Sequence, residues 1–151
     1  MSDWGTALPA GERLGVECHT YHNTPVAIVA RVRMGANSFT VPRIVCAVDC
    51  GTVVNPDMVV QQIEGGVAFG LSAVLKGALT HQSDRIEQQN FNDAPLLQLS
   101  EMPVVEVHVV PSTGHPTGEG EMAVPVVIPA VLNAVYAASS IRFRSLPLVW
   151  S

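Results

Sequence analysis

The spacing of apolar positions along this chain switches between two periods. In residues 26–33, Val26, Ile28, Ala30 and Val32 alternate onto one side, the period of a half-buried strand. Residues 15–21 share a strand-forming composition, and the break at Asn23-Thr24-Pro25 makes the two runs a strand pair. A turn at Gly35-Ala36-Asn37-Ser38 leads into a third strand, 39–48. Val105, Val107 and Val109 alternate again within a strand predicted at 104–110. Residues 79–88 read as a short hairpin turning near Ser83-Asp84, 90–102 as irregular, and 141–146 as a last short strand.

The longer period appears twice. Asn55-Pro56-Asp57 is a helix start: Asn caps, Pro suits the first position and Asp meets the dipole. The helix predicted over 56–75 carries an apolar stripe of Val60, Ile63, Val67 and Val74. A second face holds Gln62, Gly66, Phe69 and Ala73, with Gly65 beside it. A glycine inside a helix costs roughly 0.5–1 kcal/mol relative to alanine. Two adjacent ones point to close approach, by a ligand or by a neighbouring backbone. A second helix is expected over 126–139, after a Gly/Pro-rich loop at 111–122. Strands and helices mix without a strand–helix–strand repeat, so the class is α+β: a mixed sheet of about five to seven strands against two main helices. The expected organisation is a poorly ordered segment, 1–14, ahead of one unit, 15–151.

Composition sharpens this. The 151 residues are 48% hydrophobic and only 14% charged, against about 25% charged in a typical globular chain. So apolar a chain of this length is expected to bury surface against a partner, most simply as a homo-oligomer and commonly a dimer. The net charge of -5, from 8 Lys plus Arg and 13 Asp plus Glu, leaves no basic stripe for nucleic acid. Cys46 and Cys50 are too far apart on an extended run to form a disulfide. Cys18, His19 and His22 suggest a metal site only until strand geometry puts His19 on the other face, and no metal site is assigned. The first twenty residues have no signal-peptide pattern. The longest apolar run, 122–138, contains two prolines and falls short of the ~20 residues that span a bilayer.

One stretch resists a purely structural reading. In PTGEGEMAVPVVIPA, residues 116–130, Glu119 and Glu121 stand among glycines at the threshold of a long apolar segment. A solvated turn before a core helix is the ordinary use of such a sequence. The other is a base held where a helix begins.

Three segments taken together, AVDCGTVVNPDMVVQQIEGGVAFGLSAVL, NFNDAPLLQLSEMP and GEGEMAVPVVIPAVLNAVYAAS followed by IRFRSLP, resemble the C-terminal part of the molybdenum-cofactor-binding subunit of the xanthine dehydrogenase/aldehyde oxidase family. The isoquinoline 1-oxidoreductase β-subunit type is the branch they are most similar to. The resemblance covers the chain from about Gly15 onward and implies part of a much longer molybdopterin-binding subunit. In that resemblance Gln62, which opens Gln62-Ile63-Glu64-Gly65, hydrogen-bonds the molybdenum site. Glu121, which closes Gly118-Glu119-Gly120-Glu121, is the general base for hydroxylating an N-heterocycle or aldehyde with water-derived oxygen. Gly120 lets the backbone approach the cofactor, and Glu119 occupies a variable position. The implied partners are the rest of the subunit and a [2Fe–2S] small subunit, whose four thiolates three cysteines cannot supply. The isolated chain is expected to hold no cofactor and to be inactive. Met122 stands where the family usually has Pro, and Ala94 where Tyr is frequent. A non-enzymatic orphan domain that dimerises or docks on a partner is the alternative.

Overall fold

Two left-handed residues fix the first hairpin. Strands β1 (Glu12–Tyr21) and β2 (Thr24–Met34) pair antiparallel from Glu12↔Arg33 to Tyr21↔Thr24. Only His22 and Asn23 lie between them, with φ of 47° and 62°, the two-residue turn whose twist matches that of the flanking strands. The reversal thus falls one residue earlier than the Asn23-Thr24-Pro25 break suggested. Pro25 belongs to the strand as its second residue, near the end where a missing N–H costs least. A computed structural model describes residues 2–149 of the chain; the outer ends of the predicted 1–14 and 15–151 units, at residues 1, 150 and 151, lie outside the described residues.

Strand β3 (Phe39–Val48) runs antiparallel to β2, with a register shift between Arg31 and Arg33. Helix α1 (Pro56–Leu75) follows, then a small ribbon of β4 (His81–Gln82) and β5 (Arg85–Ile86). A 3-10 turn at Leu99–Glu101 leads into β6 (Val104–Val109), and α2 (Ala123–Ser139) comes last among the regular elements. The main sheet has the order β1-β2-β3-β6, with β6 parallel to β3. A parallel neighbour demands a long crossover, and α1 together with the ribbon provides it.

Among the described residues six strands form, in keeping with the α+β reading, but only four of them share the mixed sheet. The β4–β5 ribbon turns at Ser83 and Asp84, both left-handed, and stands apart as an exposed excursion. Residues 141–146 do not form the expected strand. They leave α2 through the left-handed Ser140 and run back over α1, where Leu148 N donates to Val74 O at 2.8 Å. Helix α2 starts three residues before the expected Val126. Pro125 is no obstacle there, because the first turn of a helix has no intrahelical N–H bonds to lose.

The core lies between one face of the sheet and the two helices. Val26, Ile28, Ala30 and Val32 of β2 and Ile44, Cys46 and Val48 of β3 are essentially fully buried. They meet Ile63, Val67, Leu71 and Val74 of α1, and Val127, Ala130, Val131 and Ala134 of α2. The stripe on α1 is shifted from the sequence reading only at its start, where Val59 rather than Val60 is inside. Asn55 caps α1 as expected, its Oδ1 accepting from Asp57 N and Met58 N. Helix α1 has 20 residues and a mean hydropathy of 1.4 over its most apolar window, long and apolar enough to cross a membrane. Here its apolar stripe is spent on α2 and the sheet.

On the opposite sheet face charges pair. Glu12, 1% exposed, accepts from Arg33 Nε at 2.8 Å, and Asp3 pairs with Arg31 and Arg43. Residues 3 and 12 of the expected lead-in segment are thereby tied to the sheet. The three cysteines are free, Cys18 exposed and the other two buried.

Helix α2 lies so close to β1 that a Cβ added at Gly15 would stand 2.2 Å from both Ala130 O and Ala134 N. Overpacking a core typically costs about 1–3 kcal/mol, more when backbone must move. Gly15→Ala is therefore expected to destabilise the chain by about 3 kcal/mol or more, read from urea unfolding. A second expectation concerns alkali. Burial pushes the Cys46 thiol from about 9 up to about 12. The fold then favours the protonated thiol, and the unfolded chain loses that proton first as pH rises. Stability from this source is complete below about pH 9 and falls toward pH 12 by up to about 1.4 kcal/mol per pH unit. The pH dependence of the urea midpoint should be shallower in Cys46→Ala over that range.

Candidate functional site

Three separate pieces of chain meet at one cleft of about 580 Å³. Helix α1 presents Gln62, Gly65, Gly66 and Phe69, the i, i+3, i+4, i+7 spacing that puts side chains on one face. Gly120 and Glu121 arrive from the loop ahead of α2, Val124 and Pro125 from its first turn, and His19 and Tyr21 from the end of β1. The wall is mostly apolar, with the Gln62 amide and the Glu121 carboxylate as its principal polar groups.

The loop reaches this place because its backbone is fastened to the turn after β3. Thr52 donates to Gly114 O through both its amide, at 3.0 Å, and its hydroxyl, at 2.8 Å, while Thr117 N donates to Cys50 O at 3.0 Å. Gly51 makes the approach possible: it has φ +75°, and a Cβ there would stand 2.1 Å from His115 O. Val124 N then donates to Glu121 O at 3.1 Å as α2 begins. The Glu121 side chain is exposed to the cleft at the positive end of the α2 dipole.

The two adjacent glycines of α1 do different jobs. A Cβ on Gly66 would sit 3.0 Å from Ala123 Cβ, so that glycine exists for helix–helix contact, as does Gly70, where the distance to Val127 Cγ1 would be 2.3 Å. A Cβ on Gly65 would meet nothing within 4 Å, because Gly65 faces the cleft. A Cβ on Gly120 would lie 3.9 Å from Gln62 Oε1, which places the loop directly beside the α1 amide. Gln62, Gly120 and Glu121, singled out from the sequence, are thus brought together.

Glu119 points elsewhere. Its Oε2 is buried and has no hydrogen-bond partner among the described residues. It lies near Cys50, whose thiol is pushed up first by burial and then by the Glu119 charge. Ala73 of the predicted face does not reach the cleft; it lines a second groove with Phe69, Leu79, Ala94 and Leu96. Met122 is buried in the core at 2% exposure.

His19 and Tyr21 were missed as wall residues. The signal was available: Gly15 pairs with Ala30, so positions 15, 17, 19 and 21 share the helix-facing side. Cys18, His19 and His22 form no metal cluster, and no group of three or more His, Cys, Asp or Glu among the described residues could hold a metal ion.

Comparison with known proteins gives the family of the chain. A family model described as the molybdopterin cofactor-binding domain matches residues 4–103, and the chain belongs to that family. It is 34% identical to the beta subunit of isoquinoline 1-oxidoreductase from Brevundimonas diminuta over 153 residues, covering 98% of this chain and 20% of that protein. It is 35% identical to the B subunit of nicotinate dehydrogenase from Pseudomonas putida over 109 residues, 72% of this chain and 9% of that one. The fold matches quinoline 2-oxidoreductase from Pseudomonas putida 86 with a TM-score of 0.75, at 22% identity over 83% of this chain and 17% of that chain. This chain therefore spans about a fifth or less of the relatives it matches. The family model stops before the 111–122 loop, and the isoquinoline 1-oxidoreductase alignment carries the likeness through it.

The cleft fits the polar, metal-bearing end of a molybdopterin cofactor in part. Gly65 leaves open the space a side chain would fill, and an amide and a carboxylate face that space. Gly65→Ala is expected to raise stability by about 0.5–1 kcal/mol through helix propensity while narrowing the cleft. Gly70→Ala should lower stability instead. Urea unfolding of the two variants side by side checks the contrast.

Proposed function

We propose that this chain carries the general base and one orienting amide of the cofactor cleft of a molybdenum hydroxylase. The whole enzyme oxidises an N-heterocycle or an aldehyde with oxygen drawn from water. The observation that supports this reading is the convergence of Gln62 and Glu121, from elements 59 residues apart by their numbering, on one glycine-walled cleft. When bound, the cofactor supplies two-electron redox chemistry. The Glu121 carboxylate takes the proton from the water-derived nucleophile as it attacks carbon. The Gln62 amide orients the polar end of the cofactor by hydrogen bonding. Tyr21, Phe69, Val124 and Pro125 limit water around the base.

The remaining walls come from the rest of the molybdopterin-binding subunit, and a [2Fe–2S] small subunit takes the electrons. A homo-oligomer covers part of the exposed apolar surface, which includes Phe91 and Leu99, each 92% exposed. The chain by itself is expected to hold no stoichiometric molybdenum and to turn nothing over.

The test belongs in the complete enzyme containing this segment. Glu121→Gln should lower turnover by at least ~10²-fold with the cofactor retained, because Gln keeps the shape and loses the basicity. Glu119→Gln should change turnover by no more than about three-fold, since Glu119 lies outside the cleft. Gln62→Ala should alter the molybdenum spectrum as well as the rate. Full turnover in Glu121→Gln would refute the assignment.

A further inference from the structure

Thr24 is a polar residue with 0% exposure, and the turnover chemistry has no use for it. It sits at the first position of β2, beside the β1–β2 turn, far in sequence from the loop it touches. Its hydroxyl bonds the Gly118 carbonyl oxygen and, at 2.6 Å, the Thr117 hydroxyl. Thr24 has one hydroxyl proton. With that proton given to Gly118 O, the Thr117 hydroxyl is the donor to Thr24 Oγ1, and the two threonines form a short directed chain. The neighbouring backbone agrees: Thr117 N donates to Cys50 O, and a Cβ on Gly118 would come within 3.4 Å of His22 Cβ.

We infer that Thr24 and Thr117 form a buried clamp that positions the loop bearing Glu121. Thr24 touches neither the cleft nor Glu121; it is a positioning residue acting through Gly118. The inference rests on the proposed role of Glu121. Between Gly118 and Met122 only three residues intervene, and Met122 is itself held in the core at 2% exposure. Glu121 is therefore strung between two fixed points, the clamp and the start of α2. Glycine at 118 and 120 gives that short span many backbone states to lose. Without the clamp, this end is held only by the Thr117 N–Cys50 O bond beside it, and the carboxylate samples positions beyond reach of the reacting atoms. Misplacing a catalytic group by about 1 Å can cost as much as ~10²-fold in rate.

The experiment compares Thr24→Val, which keeps the shape and removes the hydroxyl, with Thr24→Ser, which restores it. The first arm is amide hydrogen exchange on the 151-residue chain. Thr24→Val is expected to speed exchange at the Thr52 and Thr117 amides by ~10-fold or more, a local opening, while core amides of α2 stay within about two-fold. Thr24→Ser should return them to the original rates. Unchanged exchange at these amides, or uniform acceleration across the whole core, would overturn the clamp. The second arm is steady-state kinetics of the complete enzyme. Thr24→Val should lower kcat by ~10-fold with KM within about two-fold, with rescue by Thr24→Ser. Glu121→Gln in the same assay separates the two ideas. If it stays active, the base assignment fails and the exchange arm alone decides the clamp. If it is dead and Thr24→Val has normal kcat, the clamp does not serve catalysis.

Discussion

The approach of α2 to its neighbours is the constraint on which the rest depends. At Gly15 of β1 and Gly70 of α1 this helix comes in at distances that leave no room for a methyl group, and at Gly66 of α1 the fit is tight. Proteins pack their interiors like organic solids, so three such contacts from two directions leave α2 one position. Because Glu121 precedes Ala123 by two residues, seating α2 also seats the Glu121 carboxylate. Because Gly66 lies one turn from Gln62 on the same helix, the contact that joins the helices also sets the distance across the cleft.

The sheet contributes in another way. Its alternation sends Val26, Ile28, Ala30 and Val32 inward, and the same parity on β1 delivers His19 and Tyr21 to the cleft. The other face keeps its charges in pairs, with Glu12 between Arg31 and Arg33. Burying a carboxylate beside two guanidinium groups is tolerable because each remaining charge has an opposite one at hand. Glu12 Oε2 has no hydrogen bond but keeps its ion pair to Arg31; Glu119 Oε2, also buried without a hydrogen bond, has no ion pair among the described residues.

Much of this was legible in the sequence because local signals and tertiary packing agreed. The Asn55-Pro56-Asp57 start, the 39–48 strand and the Ser83-Asp84 turn depend on near neighbours alone, and the structure has them. The resemblance brought Gln62, Gly120 and Glu121 together before any geometry was known. What failed was decided at long range. Residues 141–146 have strand-like composition, but they join no strand pair; the chain runs on to donate a hydrogen bond to α1 instead, from Leu148 N to Val74 O. The start of α2 was masked by Pro125, which reads as a breaker unless its place in the first turn is known. Gly65 and Gly66 could not be told apart, since one faces a void and the other a helix much later in the chain.

Hairpin tips are ordinarily where proteins absorb extra residues, because a tip in solvent answers to nothing. The His22-Asn23 tip is different. It lies beside Gly118, where an added Cβ would stand 3.4 Å from His22 Cβ, while Thr24, its immediate successor, holds the Gly118 carbonyl. A residue inserted there would lengthen the tip and shift Thr24 out of register, and the disturbance would emerge at a carboxylate about a hundred residues downstream. Length variation among natural relatives should therefore gather in the β4–β5 ribbon and its flanks, leaving this tip nearly constant in length.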